Sequence, residues 1–391
     1  MNTSSRARPG LFLLYLSFIL IGICTTILGP ILPALSARWN MNDAHAGSLF
    51  TAQFIGSSLG GLLAAIQPFK STAIGFIAVA LGLALLTVST PLVAVPVLFM
   101  YGLGVGLVLT GINLTVSSMT GENRGTALSW LNFFWSLGAT MCPLLAAVFI
   151  GHRLLPAFLL VLSACCVCMA VLVVVRGQLK TAAASPHTAS TESTDRSVRF
   201  FVAYFAALLF LYVGIETALG GWLSTLATRL PHPGAMGAFA ISASSFFWLA
   251  LLVGRGLSPL LLKYIRETVL QPLAVACSVA SICLLLVARS YTDIAIASSL
   301  VGFSLAPVFP LSLSFFLSHA DKSKSAGMVF AICGLGGAAL PWMTGAVSSY
   351  RHSLQWGLSI PLAAALFMLG LSLYYILFIR IRTSRGPSLT R

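Results

Sequence analysis

The chain has 391 residues, of which 58% are hydrophobic and only 8% charged, against about 25% charged in soluble domains. Packed around one aqueous core, so much apolar surface would face water, whereas a bilayer rewards apolar runs of about 20 residues. A soluble fold is excluded, and at roughly 30 residues per span with its loop the length holds about twelve crossings and no sizeable soluble domain.

The net charge of +14 does not point to nucleic acid. The Lys and Arg residues lie almost entirely between apolar runs, and no polar stretch carries a basic patch interleaved with aromatics, so nucleic acid is not an expected partner. Cys24, Cys142, Cys165, Cys166, Cys168, Cys277, Cys283 and Cys333 all fall within apolar runs without CxxC spacing or a neighbouring histidine. They read as small hydrophobes, and neither a metal site nor a cofactor is expected.

In chain order the first apolar run covers residues 11 to 37. Arg6 and Arg8 precede it as they would a secretory signal, but its length and its many successors argue against cleavage. The second span (45 to 66) carries Gln53, Gly56, Ser57 and Gly60 at helical steps. The third and fourth (71 to 90 and 92 to 118) share a charge-free stretch divided at Thr90-Pro91, and the fourth carries Thr110, Asn113 and Ser117. Small residues at such steps permit close helix contact, whereas the amides of Gln53 and Asn113 can also bind solute.

The fifth span (125 to 150) places Ser129, Asn132, Trp135 and Ser136 on one face. Asn132 offers donors and an acceptor to hydroxyls, and Trp135 offers a flat apolar surface to a sugar ring; interhelical hydrogen bonding is the alternative reading. A sixth span (154 to 175) leads into residues 176 to 199, a polar Ala/Ser/Thr-rich segment that reads as a flexible cytoplasmic linker. The chain is thereby divided into an N-terminal six-span bundle (1 to 175), the linker (176 to 199) and a C-terminal six-span bundle (200 to 391).

The seventh span (200 to 228) holds Glu216, the only acidic residue well inside any predicted span. Charged groups in hydrocarbon persist where they pair or line a wet path, which makes Glu216 the strongest candidate for substrate binding and for coupling to H+ or Na+. The alternative is a structural Glu bracing spans 7 and 1. Gly220 lies one turn further on the same face, and Trp222, with Trp248 of the eighth span (235 to 262), could rim the site. The ninth span covers 269 to 288. The tenth (294 to 318) contains Pro307 and Pro310, and the eleventh (325 to 349) contains Pro341-Trp342, so helix breaks near a substrate or gate are expected. The twelfth covers 353 to 379.

With the N-terminus in the cytoplasm, the inside segments carry Arg6, Arg8, Lys70, Arg124, Arg176, Lys180, Arg196, Arg199, Arg255, Lys263, Arg266, Lys322, Lys324, Arg380, Arg382, Arg385 and Arg391. The outside loops carry Arg38, Arg153, Arg229, Arg289 and Arg351. This asymmetry predicts both termini in the cytoplasm.

An offset of 198 pairs Gly22 with Gly220, Gly56 with Gly254, Leu59 with Leu257, Gly104 with Gly302, Leu107 with Leu305, Gly138 with Gly336 and Pro143 with Pro341. The halves read as a duplication, and two parallel six-span repeats predict alternating access around a midplane site. The expected fold is an all-α membrane protein of twelve helices in two pseudo-symmetric bundles.

The stretches YVGIETALGGWLSTLA, FFWLALLVGRGL, GFSLAPVFPLSLS, GLGGAALPWMTGAVSS and SLQWGLSIP resemble the major facilitator superfamily, and within it the fucose-permease and sodium-dependent glucose-transporter-like group. The resemblance implies a central cavity and a monosaccharide substrate, often coupled to H+ or Na+. Two features depart from the pattern. Ala65 and Ile66 stand where the superfamily's loop between spans 2 and 3 carries an acid and a base, and Leu109 stands where fucose permeases carry an acid four residues before Asn113. The resemblance therefore leaves coupling chiefly to Glu216.

The expectation is a monomeric, multi-pass plasma- or inner-membrane transporter of a monosaccharide or similar small polar solute, using Gln53, Asn113, Asn132, Trp135, Glu216, Trp222, Trp248 and Trp342. An exporter of amphipathic compounds on the same fold is the alternative. An enzyme is not expected, since no span holds a His pair, an Asp pair or a Ser-His set. A channel is disfavoured by the lack of a ring of like charges.

Overall fold

The computed structural model describes residues 8–64, 66–120, 124–175, 196–230, 237–319 and 324–384. Most of the expected linker, residues 176–195, lies outside the described residues, as do Ala65 and the tails. The rest is helical. The first span consists of α1 (Arg8–Thr26) and α2 (Leu28–Trp39), followed by α3 (Asp43–Ala64), α4 (Pro68–Leu86), α5 (Pro91–Thr120), α6 (Arg124–Gly151) and α7 (Leu155–Val175). The second half contains α8 (Arg196–Thr228), the short α9 (Gly237–Ala240) leading into α10 (Ala243–Tyr264), and α11 (Glu267–Leu286). Then come α12 (Tyr291–Leu305) with α13 (Val308–His319), α14 (Lys324–Arg351), and α15 (Leu354–Gly357) with α16 (Ser359–Ser384). Counting each joined pair once gives the twelve expected rods, and nine spans among the described residues are long and apolar enough to cross a bilayer.

The breaks follow from proline chemistry. Pro30 has no N–H to offer the Thr26 carbonyl and its ring crowds that carbonyl, so the first span turns at Ile27. Pro307 and Pro310 do the same at the junction of α12 and α13. By contrast, Pro143 and Pro341 are carried inside the unbroken α6 and α14. At the start of α12 the chain is capped locally: Ser290 Oγ accepts from Asp293 N at 3.1 Å, and Asp293 Oδ2 accepts from Ser290 N at 2.9 Å.

In the first bundle α3 and α4 pack on α5, α4 on α7, and α1 on α6. In the second, α10 and α11 pack on α12, and α8 on α14. The repeated glycines sit at matching contacts. A Cβ on Gly56 would lie 2.1 Å from the Phe99 carbonyl oxygen, and one on Gly254 would lie 2.6 Å from Ala306 Cβ. In the other helix pair, a Cβ on Gly138 would lie 2.1 Å from the Ile19 carbonyl oxygen, and one on Gly336 would lie 2.0 Å from that of Phe210. With little hydrophobic drive between helices in lipid, such close backbone approach carries the association. The 198-residue offset is therefore a repetition of packing as well as of letters. Contacts between the halves run along α3–α14, α6–α10 and α2–α8.

Candidate functional site

The site forms where α1, α3, α6, α8 and α10 converge. Glu216 lies twelve residues before the end of α8, and Arg255 twelve residues after the start of α10. At 1.5 Å per residue each stands about 18 Å below the same surface, near the middle of a ~30 Å hydrocarbon core. Arg255 Nη2 donates to Glu216 Oε1 at 3.0 Å and to Tyr212 Oη at 3.2 Å. Its Nη1 donates to Ser136 Oγ on α6 at 3.1 Å. The guanidinium also lies over the Trp135 ring, 5.9 Å from the centroid. One planar fork therefore ties the carboxylate of the second bundle to a hydroxyl of the first, a geometry that a lysine ammonium does not reproduce.

Sequence reading places Arg255 among the inside-segment cations; the structure corrects that. The side chain is only 19% exposed and the Glu216 side chain 10%, and a charge at such depth requires the partner it has. The remaining positive charges still favour the same side. Tyr212, one turn before Glu216 and on the same face, completes the group.

The cavity beside this pair has a volume of about 130 Å³ and is bordered by Thr25, Thr26, Phe50, Phe54, Trp135, Thr217 and Trp248 as well as Glu216. Trp135 and Trp248 meet edge to face, with centroids 5.7 Å apart and planes at 84°. Trp135 Nε1 reaches Thr25 Oγ1 at 3.5 Å. Gly220 makes room for Trp248: a Cβ there would fall 2.4 Å from Trp248 Cζ2. The turn at Ile27 brings the Thr25-Thr26 pair to the cavity wall, a signal the sequence carries in two adjacent hydroxyls just before a Gly-Pro break.

Of the sequence candidates, Glu216, Trp135 and Trp248 come together here. Gln53 is buried and donates from Nε2 to the Thr25 carbonyl at 2.9 Å, joining α3 to α1. Asn113 and Asn132 donate to the carbonyls one turn back, Leu109 at 2.8 Å and Leu128 at 3.0 Å. Trp222 is fully buried and donates from Nε1 to the Pro341 carbonyl at 3.0 Å, fastening α8 to α14. Trp342 borders a different, lateral groove.

At the surface end of the same helices a second polar group closes the space above the cavity. Arg229 Nη1 donates to Asp43 Oδ2 at 2.7 Å and its Nη2 to Oδ1 at 2.5 Å. Ser348 Oγ donates to the same carboxylate, and Ala44 N donates to Ser349 Oγ at 2.8 Å. This joins α3 of the first bundle to α8 and α14 of the second. Between latch and cavity, α2 presses on α8, where a Cβ on Gly29 would meet the Gly220 carbonyl oxygen at 2.8 Å. The Asp43 end is shut.

Twelve crossings in two duplicated bundles, closed at one end over a charged midplane cavity, define a transporter of the alternating-access class. Residues 14–340 match the family model described as the Major Facilitator Superfamily, and the chain belongs to that superfamily of transporters rather than to a family of enzymes. It is 24% identical over 397 residues to Sodium-dependent glucose transporter 1A of Mus musculus, covering 90% of this chain and 93% of that one. It is 23% identical to the Glucose/mannose transporter GlcP of Bacillus subtilis, covering 85% and 86%. Among solved structures it superposes on the E. coli fucose:proton symporter FucP with a TM-score of 0.62 at 17% identity, covering 94% of this chain and 98% of that one. A nucleoside transporter, NupG, gives 0.75 at 15% identity, covering 93% and 98%.

Proposed function

We propose that this chain carries a monosaccharide or closely related polyol across the plasma or inner membrane, with both termini in the cytoplasm, and that Glu216, held in place by Arg255, forms the polar floor of its binding site. The observation that carries this reading is a carboxylate and two indole rings bordering one small midplane cavity, with the carboxylate held from behind by the Arg255 guanidinium. A carboxylate accepts from sugar hydroxyls, while an indole face covers the ring's C–H side. The relatives named for glucose and mannose support the same class of cargo.

Size argues in the same direction. The 130 Å³ cavity is small, whereas pockets for drug-sized ligands run to about 300–1,000 Å³. The closed cavity is scaled to a small solute and not to a large amphipath.

Counterflow of labelled glucose, mannose and galactose in proteoliposomes tests the reading. Saturable exchange is expected for the wild type, and Glu216→Gln should lower uptake about 10- to 150-fold, the range that losing a charge-assisted hydrogen bond of about 1.5–3 kcal/mol gives. The effect of Na+ or of a pH gradient on accumulation, compared between the wild type and this variant, identifies the coupling ion. Exchange of no monosaccharide, or wild-type uptake by Glu216→Gln, would remove the sugar assignment or the Glu216 role respectively. Trp135→Ala should raise the apparent KM several-fold while leaving the fold intact, because about 0.5–1.5 kcal/mol of ring contact is lost; an unchanged KM would return Trp135 to packing.

A further inference from the structure

A second cavity, which shares no lining residue with the central one, is the groove bordered by Trp342. It is a lateral groove of about 860 Å³ between the bundles, walled by Ile55 of α3, Val95 and Phe99 of α5, Phe210 of α8, and Leu335 and Trp342 of α14. Its polar groups are already engaged. Thr51 Oγ1 donates to the Ala338 carbonyl at 2.9 Å, and Ser48 Oγ to the His45 carbonyl at 2.7 Å. Water entering it would find few partners, and apolar cavities stay dry.

Depth and position identify the occupant. On α3 the groove runs from Ser48 to Ile55, five to twelve residues from the helix start at Asp43, hence about 8–18 Å below it. That interval is the acyl-chain region of one leaflet of a ~30 Å core. The groove also continues an interface already described. Its floor is the α3–α14 seam, where Phe54 fills the space beside Gly337 (2.6 Å from an ideal Cβ) and the Trp342 backbone lies against Gly47 (2.9 Å). Phe50 and Phe54, on the other side of α3, face the central cavity.

We infer that the groove is a binding site for one acyl chain of a bilayer phospholipid, held as a wedge against the seam between the bundles. Because its walls come from both bundles, the chain is a ligand of the state that is closed at the Asp43 end. The inference depends on the membrane setting and the groove, and stands whether or not the cargo is a sugar.

The test uses the full chain in nanodiscs of phosphatidylcholine carrying a photoreactive diazirine at mid-chain, with adducts mapped by mass spectrometry. Adducts on the groove walls should exceed those on Leu160 and Val171, lipid-facing residues of α7, by about fivefold, the ratio that about 1 kcal/mol of preference gives. Ala339→Phe, which fills the groove, should erase the excess. If that variant fails to fold, the wild-type map alone decides. Equal labelling of groove and α7, labelling undiminished in a folded Ala339→Phe, or displacement of the lipid label by an added apolar amphipath rather than by unlabelled phospholipid would each overturn the proposal.

Discussion

Replacing Arg255 with Met should abolish transport and lower the thermal stability of the purified chain, while adding Glu216→Gln to that variant should restore stability but not transport. The single change leaves a buried carboxylate without its counter-charge, a loss of about 3–5 kcal/mol in comparable pairs. It also strips Tyr212 and Ser136 of the donor they share. Neutralising both members removes the unpaired charge, so the double variant should recover most of a Tm drop of roughly 5–10 °C. Transport should stay at least ~100-fold down, because the charged acceptor and the guanidinium that positions it are both gone and only a neutral amide is left. Arg255→Lys is the sharper control. It keeps the charge yet cannot reach Glu216, Tyr212 and Ser136 from one planar fork, so it should fold well and transport poorly. Wild-type uptake in Arg255→Met would show that the pair is a structural brace outside the transport cycle.

The contrast between what the sequence discloses and what it conceals has a physical basis. Spans, their breaks and the duplication are written in local properties: apolar length, proline position and glycine recurrence. Glu216 is legible for the same reason, since a lone acid in a charge-free run is locally anomalous. Arg255 is equally anomalous, flanked by Leu251, Leu252 and Val253 on one side and Leu260 to Leu262 on the other. Counting positive charges by loop conceals it, because that procedure assigns every cation to a surface. Its partner is 39 residues away, and only the packing of α8 against α10 brings the two together. Trp222 illustrates a different limit. Six residues beyond Glu216, it is rotated about 240° around α8 at 100° per residue, so it turns toward α14 instead of the cavity. Tyr212, one turn before Glu216, shares its face and accepts from Arg255. The amides of Asn113 and Asn132 look free in a sequence, but each gives one N–H to its own helix one turn back.

Breaking the Asp43–Arg229 latch is expected to open the transporter at that end. Asp43 and Arg229 are 186 residues apart in sequence and each stands at a helix end, which is why neither was distinguishable from an ordinary surface charge. The pair is bidentate and Asp43 is buried, but the Arg229 side chain is 44% exposed, so its contribution falls between exposed and buried pairs, at about 1–2 kcal/mol. Its loss should shift the balance between closed and open states about 5- to 30-fold. The Ala44 N–H and the Ser349 hydroxyl provide a gauge, because they touch only when α3 and α14 meet. In an Ala44→Cys/Ser349→Cys background, oxidative cross-linking should be efficient with the latch intact and should fall several-fold in Asp43→Asn and in Arg229→Gln. Ser348→Ala, which removes one of the donors to the carboxylate, should have a smaller effect. Exchanging the charges, Asp43→Arg with Arg229→Asp, should recover part of the cross-linking yield, since attraction across the seam is restored even where the hydrogen-bond geometry is not. Cross-linking indifferent to all these changes would mean that backbone packing at Gly47 and Gly345 holds the end shut by itself, and that the ion pair follows closure instead of stabilising it.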